Sequence, residues 1–249
     1  MTTVLETVLF ALLGLAVGSF LNLCIDRLPS GKSIIRPPSH CDSCQHKLNA
    51  GDLVPVFSYL WLRGRCRYCG VRIPLRLPAV ELATALLFAL LSWHYGPGSQ
   101  LAMALVYACL FLVIFVIDLE QQLVLDTIIY PGMVLAFVFS FFWPELGVGS
   151  ALIGGAVGFG LMLLPYLISR GGMGGGDVKL AGLIGLATGF PNILIALFIG
   201  VLGGGLVASF LLLFHLKTRK EAIPFGPFLA AGAMATIVWW ETMHDFFVP

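Results

Sequence analysis

The sequence predicts an all-α polytopic membrane protein of about eight transmembrane helices, with one small polar module between the first and second. Composition is the first reason. Of 249 residues, 59% are hydrophobic and only 11% charged, and the mean hydropathy is +0.96. A water-soluble domain carries about a quarter of its residues as charges. The second reason is recurrence: apolar runs near the roughly 20 residues that a span needs return along the chain. The third is that polarity is segregated. Nine of the 14 lysines and arginines fall between residues 26 and 77.

The apolar runs cover 4–25, 78–95, 100–117, 125–143, 148–168, 178–190, 192–215 and 225–245. The first lacks a basic n-region and a small-residue cleavage site, so it reads as a retained span and not as a leader. The fifth carries Gly154 and Gly158 at the spacing of close helix pairs, and the seventh carries Gly200, Gly203, Gly204 and Gly205. The sixth is short, Gly-rich and stops at Phe190-Pro191. Basic residues orient the set. The segments 26–77, 170–179 and 217–220 hold the Lys and Arg, while the loops near 96–99, 144–147 and 191 have none. Eight spans put every basic loop in the cytoplasm and both termini outside. The expected organisation is a first helix at 1–25, a cytoplasmic module at 26–77 and a membrane domain at 78–249.

The polar module contains Cys41-Asp42-Ser43-Cys44 and Cys66-Arg67-Tyr68-Cys69, two C-x2-C pairs separated by 21 residues. Each pair puts two thiolates on one tight turn, and two such turns close a tetrahedral zinc site. Disulfides are the competing reading, disfavoured on the reducing side of a membrane. A segment of this size is too small for a good core, so the metal would be structural. His40 and His46 flank the first pair as surface residues. Cys24 and Cys109, within apolar runs, read as packed thiols.

Acids beside apolar runs need an explanation by default. Asp118 follows an apolar run, with Glu120 and Asp126 close behind it. Asp177 ends the run Gly174-Gly175-Gly176-Asp177, followed by Lys179. The inferred topology brings Asp118 and Asp177 to one membrane face. Taken singly, Asp118 could end a helix at the interface and Asp177 could be the N-cap of the sixth span. Taken together they could share one proton and activate water. The helix start and Lys179 would favour a charged Asp177, leaving the proton on Asp118. A phosphate-binding loop is disfavoured, because no strand precedes the glycines. No nucleic-acid partner is expected.

Several motifs in order resemble those of the type IV prepilin peptidases, bifunctional leader peptidase/N-methyltransferases. They are Gly18-Ser-Phe-Leu-Asn-Leu, Arg27-Leu-Pro, Pro38-Ser-His-Cys-Asp-Ser-Cys, Val54-Pro-Val-Phe-Ser-Tyr-Leu, Leu62-Arg-Gly-Arg-Cys-Arg-Tyr-Cys, Glu81-Leu-Ala-Thr and the GxGD motif ending at Asp177. The resemblance implies a GxGD membrane aspartic peptidase of the bacterial inner membrane, with Asp118 and Asp177 as its dyad. Gly174, Gly176 and Lys179 would form the loop beside the substrate. Asp126 matches the second acid of a D-x7-D segment. The implied substrate is a type IV prepilin or pseudopilin helix in the lipid bilayer, cut after a short basic leader and then methylated from S-adenosylmethionine. Glu81 is the candidate contact for that donor, or else a polar residue at a helix start. The chain departs from the family pattern at Val124-Leu125-Asp126 and at Asp26, where a tyrosine is common. Two other readings stay open: a peptidase alone, with the cysteine module as a substrate clamp, or a membrane scaffold or transporter whose acids carry ions.

Overall fold

The computed structural model describes residues 4–169, 174–214, 216 and 223–239. Among them the secondary structure is helical, apart from two isolated β-bridges. The helices are α1 (Val4–Arg27), α2 (Phe57–Trp61), α3 (Arg76–Tyr95), α4 (Ser99–Gln121), α5 (Asp126–Phe139), α6 (Val148–Ser169), α7 (Gly175–Thr188), α8 (Asn192–Leu213) and α9 (Gly226–Val238). Each of the eight apolar runs contains a helix. Five of these, α1, α3, α4, α6 and α8, are long and apolar enough to cross a membrane. The helices α5, α7 and α9 are shorter, with 14, 14 and 13 residues, so the described residues give five membrane-length helices against the eight expected. Average hydropathy does not fix where a helix ends inside a run. Gln122, at φ 54°, lies between α4 and α5, and Pro191 between α7 and α8. The last part of the eighth run, 240–245, lies outside the described residues, as do the basic residues Arg170, Lys217, Arg219 and Lys220.

The chain forms two compact units, Met1–Leu101 and Ala102–Pro249. In the first, α1 packs along α3. Gly14 and Gly18 make this possible: a Cβ on either would lie 2.7 Å from an α3 backbone carbon, at Ala85 and Glu81 respectively. Asn22 donates to the Leu77 carbonyl at 2.9 Å, and Arg76 meets Asp26 at 2.6 Å. The acid at the position where tyrosine is common thus clamps the end of α1 to the start of α3. By contacts, α3 groups with α1 in the first unit.

In the second unit α7 is the hub. It contacts α5, α6, α8 and α9, and most of its side chains are buried. Gly154 and Gly158 of α6 lie directly on the backbone of Gly185 and Ala181 of α7. Gly200 and Gly204 of α8 fit against Leu229, Phe225 and Phe228, while a Cβ on Gly205 would meet nothing. Most of the glycines singled out by spacing are therefore contact points between helices. In α4 the buried Tyr107 ring sits among Phe111, Phe139 and Trp143.

Candidate functional site

Two sites emerge, one in each unit. The first is the cysteine module. Residues 41–47 and 66–72 fold as a matched pair of knuckles. In each, the first Cys carbonyl accepts from the residue after the second Cys: Gln45 to Cys41 at 2.8 Å and Gly70 to Cys66 at 3.0 Å. Both of those residues have positive φ, 57° and 72°. A bridge closes each knuckle, His40 with Lys47 and Arg65 with Arg72.

The result gathers four free cysteines. The Sγ atoms of Cys41, Cys44, Cys66 and Cys69 all lie within 4.8 Å of one another, and Cys41 and Cys69 are 3.8 Å apart. A tetrahedron with Zn–S near about 2.3 Å has edges of about 3.8 Å, so the cluster fits a zinc ion. Backbone N–H groups of Cys69 and Tyr68 pull the Cys66 thiol down to about 7. At Cys69 the Val71 N–H favours the thiolate, but burial and the adjoining thiols Cys44, Cys66 and Cys41 push the group up to about 12. One thiolate among crowded thiols is what a cation would complete. The histidines stay out of the cluster: His40 Nδ1 lies 3.0 Å from the Pro38 carbonyl, and His46 stacks on Tyr68 at 3.7 Å.

Asp52 braces the module. It accepts from Arg67 at 2.7 Å, from Tyr68 at 3.2 Å and from the Asn49 N–H at 3.1 Å. Burial works against its charge, yet the Asn49 N–H and the Arg67 guanidinium outweigh it and hold the carboxyl below the ordinary range. Glu81 ties the module to the helices. It is the sixth residue of α3, not at the helix start. Its Oε2 accepts from the Val56 N–H at 2.7 Å, where Val56 adopts φ 60°. One oxygen of the candidate donor contact is thereby committed to holding a strained turn.

The second site is carboxylic. Asp118, in the last turn of α4, is 4% exposed, and Asp177, the third residue of α7, is 9% exposed. Both acids lie in the second unit, and Asp118 is near enough for its charge to reach Asp177. Asp118 Oδ2 is buried without a protein hydrogen-bond partner. The first residue of α9 presses on it: a Cβ at Gly226 would lie 2.6 Å from Oδ2.

The GxGD glycines have distinct parts. Gly174 is the N-cap of α7, so Asp177 sits within the first turn of the helix and is not the cap. Gly176 lets the segment after α4 cross the helix start, since a Cβ there would meet the Val124 Cβ at 2.6 Å. Gly171 to Met173, in the same glycine stretch, lie outside the described residues.

Lys179 does not serve Asp177. Its ammonium grips Asp126 at 2.7 and 2.9 Å and lies 5.5 Å over the Tyr130 ring. Nor is the D-x7-D segment one continuous helix. Residues 122–125 are non-helical, and Asp126 opens α5. The ion pair and the Gly226 contact were missed because both partners are far apart in sequence. No residue pattern couples them.

Two family profiles match the chain. The bacterial peptidase A24 N-terminal domain matches residues 12–95, and the type IV leader peptidase family matches residues 105–209. A protein of Pseudomonas putida named prepilin leader peptidase/N-methyltransferase is 32% identical over 263 aligned positions, covering 95% of this chain and 91% of its own length. The chain belongs to the prepilin leader peptidase/N-methyltransferase family. A Bacillus subtilis member bearing the same name is 32% identical over 94% of this chain and 95% of its own. A Xanthomonas campestris member is 33% identical over 94% and 91%. No solved structure matches. Within this family the first profile spans α1, the cysteine module and α3, while the second holds both buried acids.

Proposed function

We propose that this chain cleaves the basic leader from type IV prepilins or pseudopilins with Asp118, Asp177 and water, then N-methylates the new N-terminal residue from S-adenosylmethionine. Two of the named relatives above cover more than nine-tenths of this chain, and their names carry both activities. The observation that carries the dyad assignment is a charge balance. Both carboxyls are buried, and the charge of Asp118 reaches Asp177. Lys179 is the only Lys or Arg among the described residues of the second unit, and it is spent on Asp126. In this reading the two acids, with no cation paired to either among the described residues, hold one proton between them.

That protonation state suits amide hydrolysis. The ionised carboxyl takes a proton from water as its oxygen bonds to the scissile carbonyl carbon. The protonated carboxyl donates a hydrogen bond to the carbonyl oxygen. A proton then passes to the amide nitrogen, and the C–N bond breaks to release the amine. The pair titrates as a unit. Gly174 and Gly176 serve by shaping the start of α7, and Lys179 by bracing it.

Cys41, Cys44, Cys66 and Cys69 would hold a zinc ion, which would supply folding free energy to the 26–77 module; we associate that module with methylation. The peptidase belongs to the 78–249 segment. S-adenosylmethionine supplies the methyl group, and the part we assign to Glu81 is to fix the Val56 turn on the methylation side. The positive-inside rule puts the module and the dyad at the cytoplasmic face of a bacterial inner membrane, with both termini periplasmic.

Purified protein incubated with a prepilin and labelled S-adenosylmethionine tests the reading. Asp118→Asn and Asp177→Asn should each abolish cleavage, while a pre-cleaved pilin peptide still accepts label. Cleavage surviving in either variant would remove the dyad. Cleavage without label transfer by the native chain would remove methylation.

A further inference from the structure

Between Asp52 and Arg63 the cysteine module holds ten residues without a charge, Leu53-Val-Pro-Val-Phe-Ser-Tyr-Leu-Trp-Leu. An apolar run of that length is too short to span a bilayer and long enough to dip into one. It folds as a turn at Val56 followed by α2. On α2, Phe57, Leu60 and Trp61 stand at i, i+3 and i+4, on one side of the helix. They are 64%, 66% and 85% exposed.

The depth of this run is set by α1 and α3. The Val56 N–H donates to Glu81 Oε2 at 2.7 Å, and the Ser19 side chain bonds the same carboxyl. With 20 residues, α3 is about 30 Å long, the thickness of the hydrocarbon layer. Glu81 comes five residues after Arg76, the first residue of α3, so it lies about 7.5 Å along that helix from the module's side. Ser19 comes eight residues before Arg27, the last of α1, or about 12 Å from that end. The two helices agree. Val56 is attached below the level at which α1 and α3 leave the membrane, and α2 begins at the next residue.

Backbone at membrane depth must find its hydrogen-bond partners within the protein. Here it does. Residue 55 is proline and has no N–H. Val56 donates to Glu81, Phe57 to the Pro55 carbonyl at 2.6 Å and Ser58 to the Val54 carbonyl at 3.0 Å. This also explains Glu81, since an acid within a membrane-length helix marks a special task. It satisfies a turn in which Val56 stands at φ 60°, where a β-branched residue rarely stands.

We propose that residues 53–62 form a re-entrant segment that dips into the leaflet on the module's side, with Phe57, Leu60 and Trp61 against lipid. Depth selects the occupant. At the level of Glu81 the exposed row meets the boundary between headgroups and acyl chains, where tryptophan is favoured. The 26–77 segment is then aqueous at its cysteine knuckles and membrane-bound at α2.

The test uses the full chain carrying fluorotryptophan, in phosphatidylcholine nanodiscs that leave both faces open to water. The Trp61 resonance is the one missing from W61F. A nitroxide high on the lipid acyl chain should broaden it beyond detection, and a gadolinium chelate in the water should leave it. The reverse pattern overturns the proposal. So does a resonance that neither probe touches, which would mean that protein covers the row. Glu81 gives a second arm: E81L removes the acceptor of the Val56 N–H, and E81Q keeps one. In E81L the chelate should reach Trp61, and the amides of residues 56–58 should lose protection against hydrogen exchange. E81Q should behave as the unaltered chain. Unchanged lipid contact and protection in E81L would overturn the part given to Glu81. Lipid broadening that appears only after a prepilin is added would overturn the resting insertion and make α2 a substrate-docking element.

Discussion

Gly226→Ala is the sharpest probe of the acid site, because it adds one methyl group and changes no charge. That methyl would stand 2.6 Å from Asp118 Oδ2 and 3.0 Å from its Cγ. Ordinary contact between such atoms needs more than about 3.2 Å, so the carboxyl must retreat by roughly 0.5–1 Å. Misplacing a catalytic group by about 1 Å costs on the order of 10²-fold in rate. We therefore expect cleavage of a prepilin to fall about 10- to 100-fold, with label transfer to a pre-cleaved peptide unchanged. Gly205→Ala is the control. A Cβ there meets nothing within 4 Å, and alanine in a helix is favoured over glycine. The assay is the initial rate of leader removal, with thermal unfolding measured alongside. A Gly226→Ala enzyme that cleaves within about threefold of the native rate would refute the reasoning, because a reacting carboxyl could not tolerate that displacement.

Three further outcomes follow. Gly176→Ala should impair cleavage by forcing Val124 off the start of α7, where a Cβ would lie 2.6 Å away, and adding Val124→Gly should restore much of the rate; no recovery would mean that Gly176 acts in some other way. Lys179→Met and Asp126→Asn should each lower stability slightly, with a double-mutant coupling of about 0.2–1 kcal/mol, because both partners are part-exposed, and a cleavage loss beyond about 10²-fold would instead make Lys179 a reacting group. Cys44→Ser should reduce bound zinc and loosen residues 39–72 to proteolysis, while strong chelation does the same to the native chain; a full complement of metal in the variant would exclude the four-sulfur site.

What could be read from the sequence was whatever depends on neighbours along the chain. Apolar runs located α1, α3, α4 and α6 to within a few residues, since burial in lipid or in protein demands the same composition. The paired cysteines were legible because a C-x2-C turn is local. Helix length was not: α5 ends at Phe139 and α9 at Val238, inside runs that continue beyond them, and hydropathy cannot distinguish a span from a short buried helix. Gly14 and Gly18 carry the same four-residue spacing as Gly154 and Gly158. That signal was available for the α1–α3 contact and went unused. The bond from Val56 to Glu81 and the grip of Lys179 on Asp126 left no trace, because the partners are 25 and 53 residues apart.

The same long-range pairs explain why the acids lie where they do. A carboxyl on a mobile glycine loop would hydrate and lose its influence on a partner. Asp177 instead occupies the first turn of the most buried helix of its unit. That turn is held from two directions. Val124 rests on Gly176, and Lys179 reaches across to Asp126 at the head of α5. The seven residues between Asp118 and Asp126 thus form a strap. It leaves the buried acid, crosses the helix that carries the second acid, and is fastened by an ion pair on the far side. A strap of this kind ties the segments that carry Asp118 and Asp177 together, and among the described residues it pairs no cation with either acid. A lysine paired with either acid would stabilise both ionised forms and remove the shared proton. With Lys179 on Asp126, the proposed dyad keeps its brace and its shared proton together, and in that reading the second acid of the D-x7-D segment has a structural role.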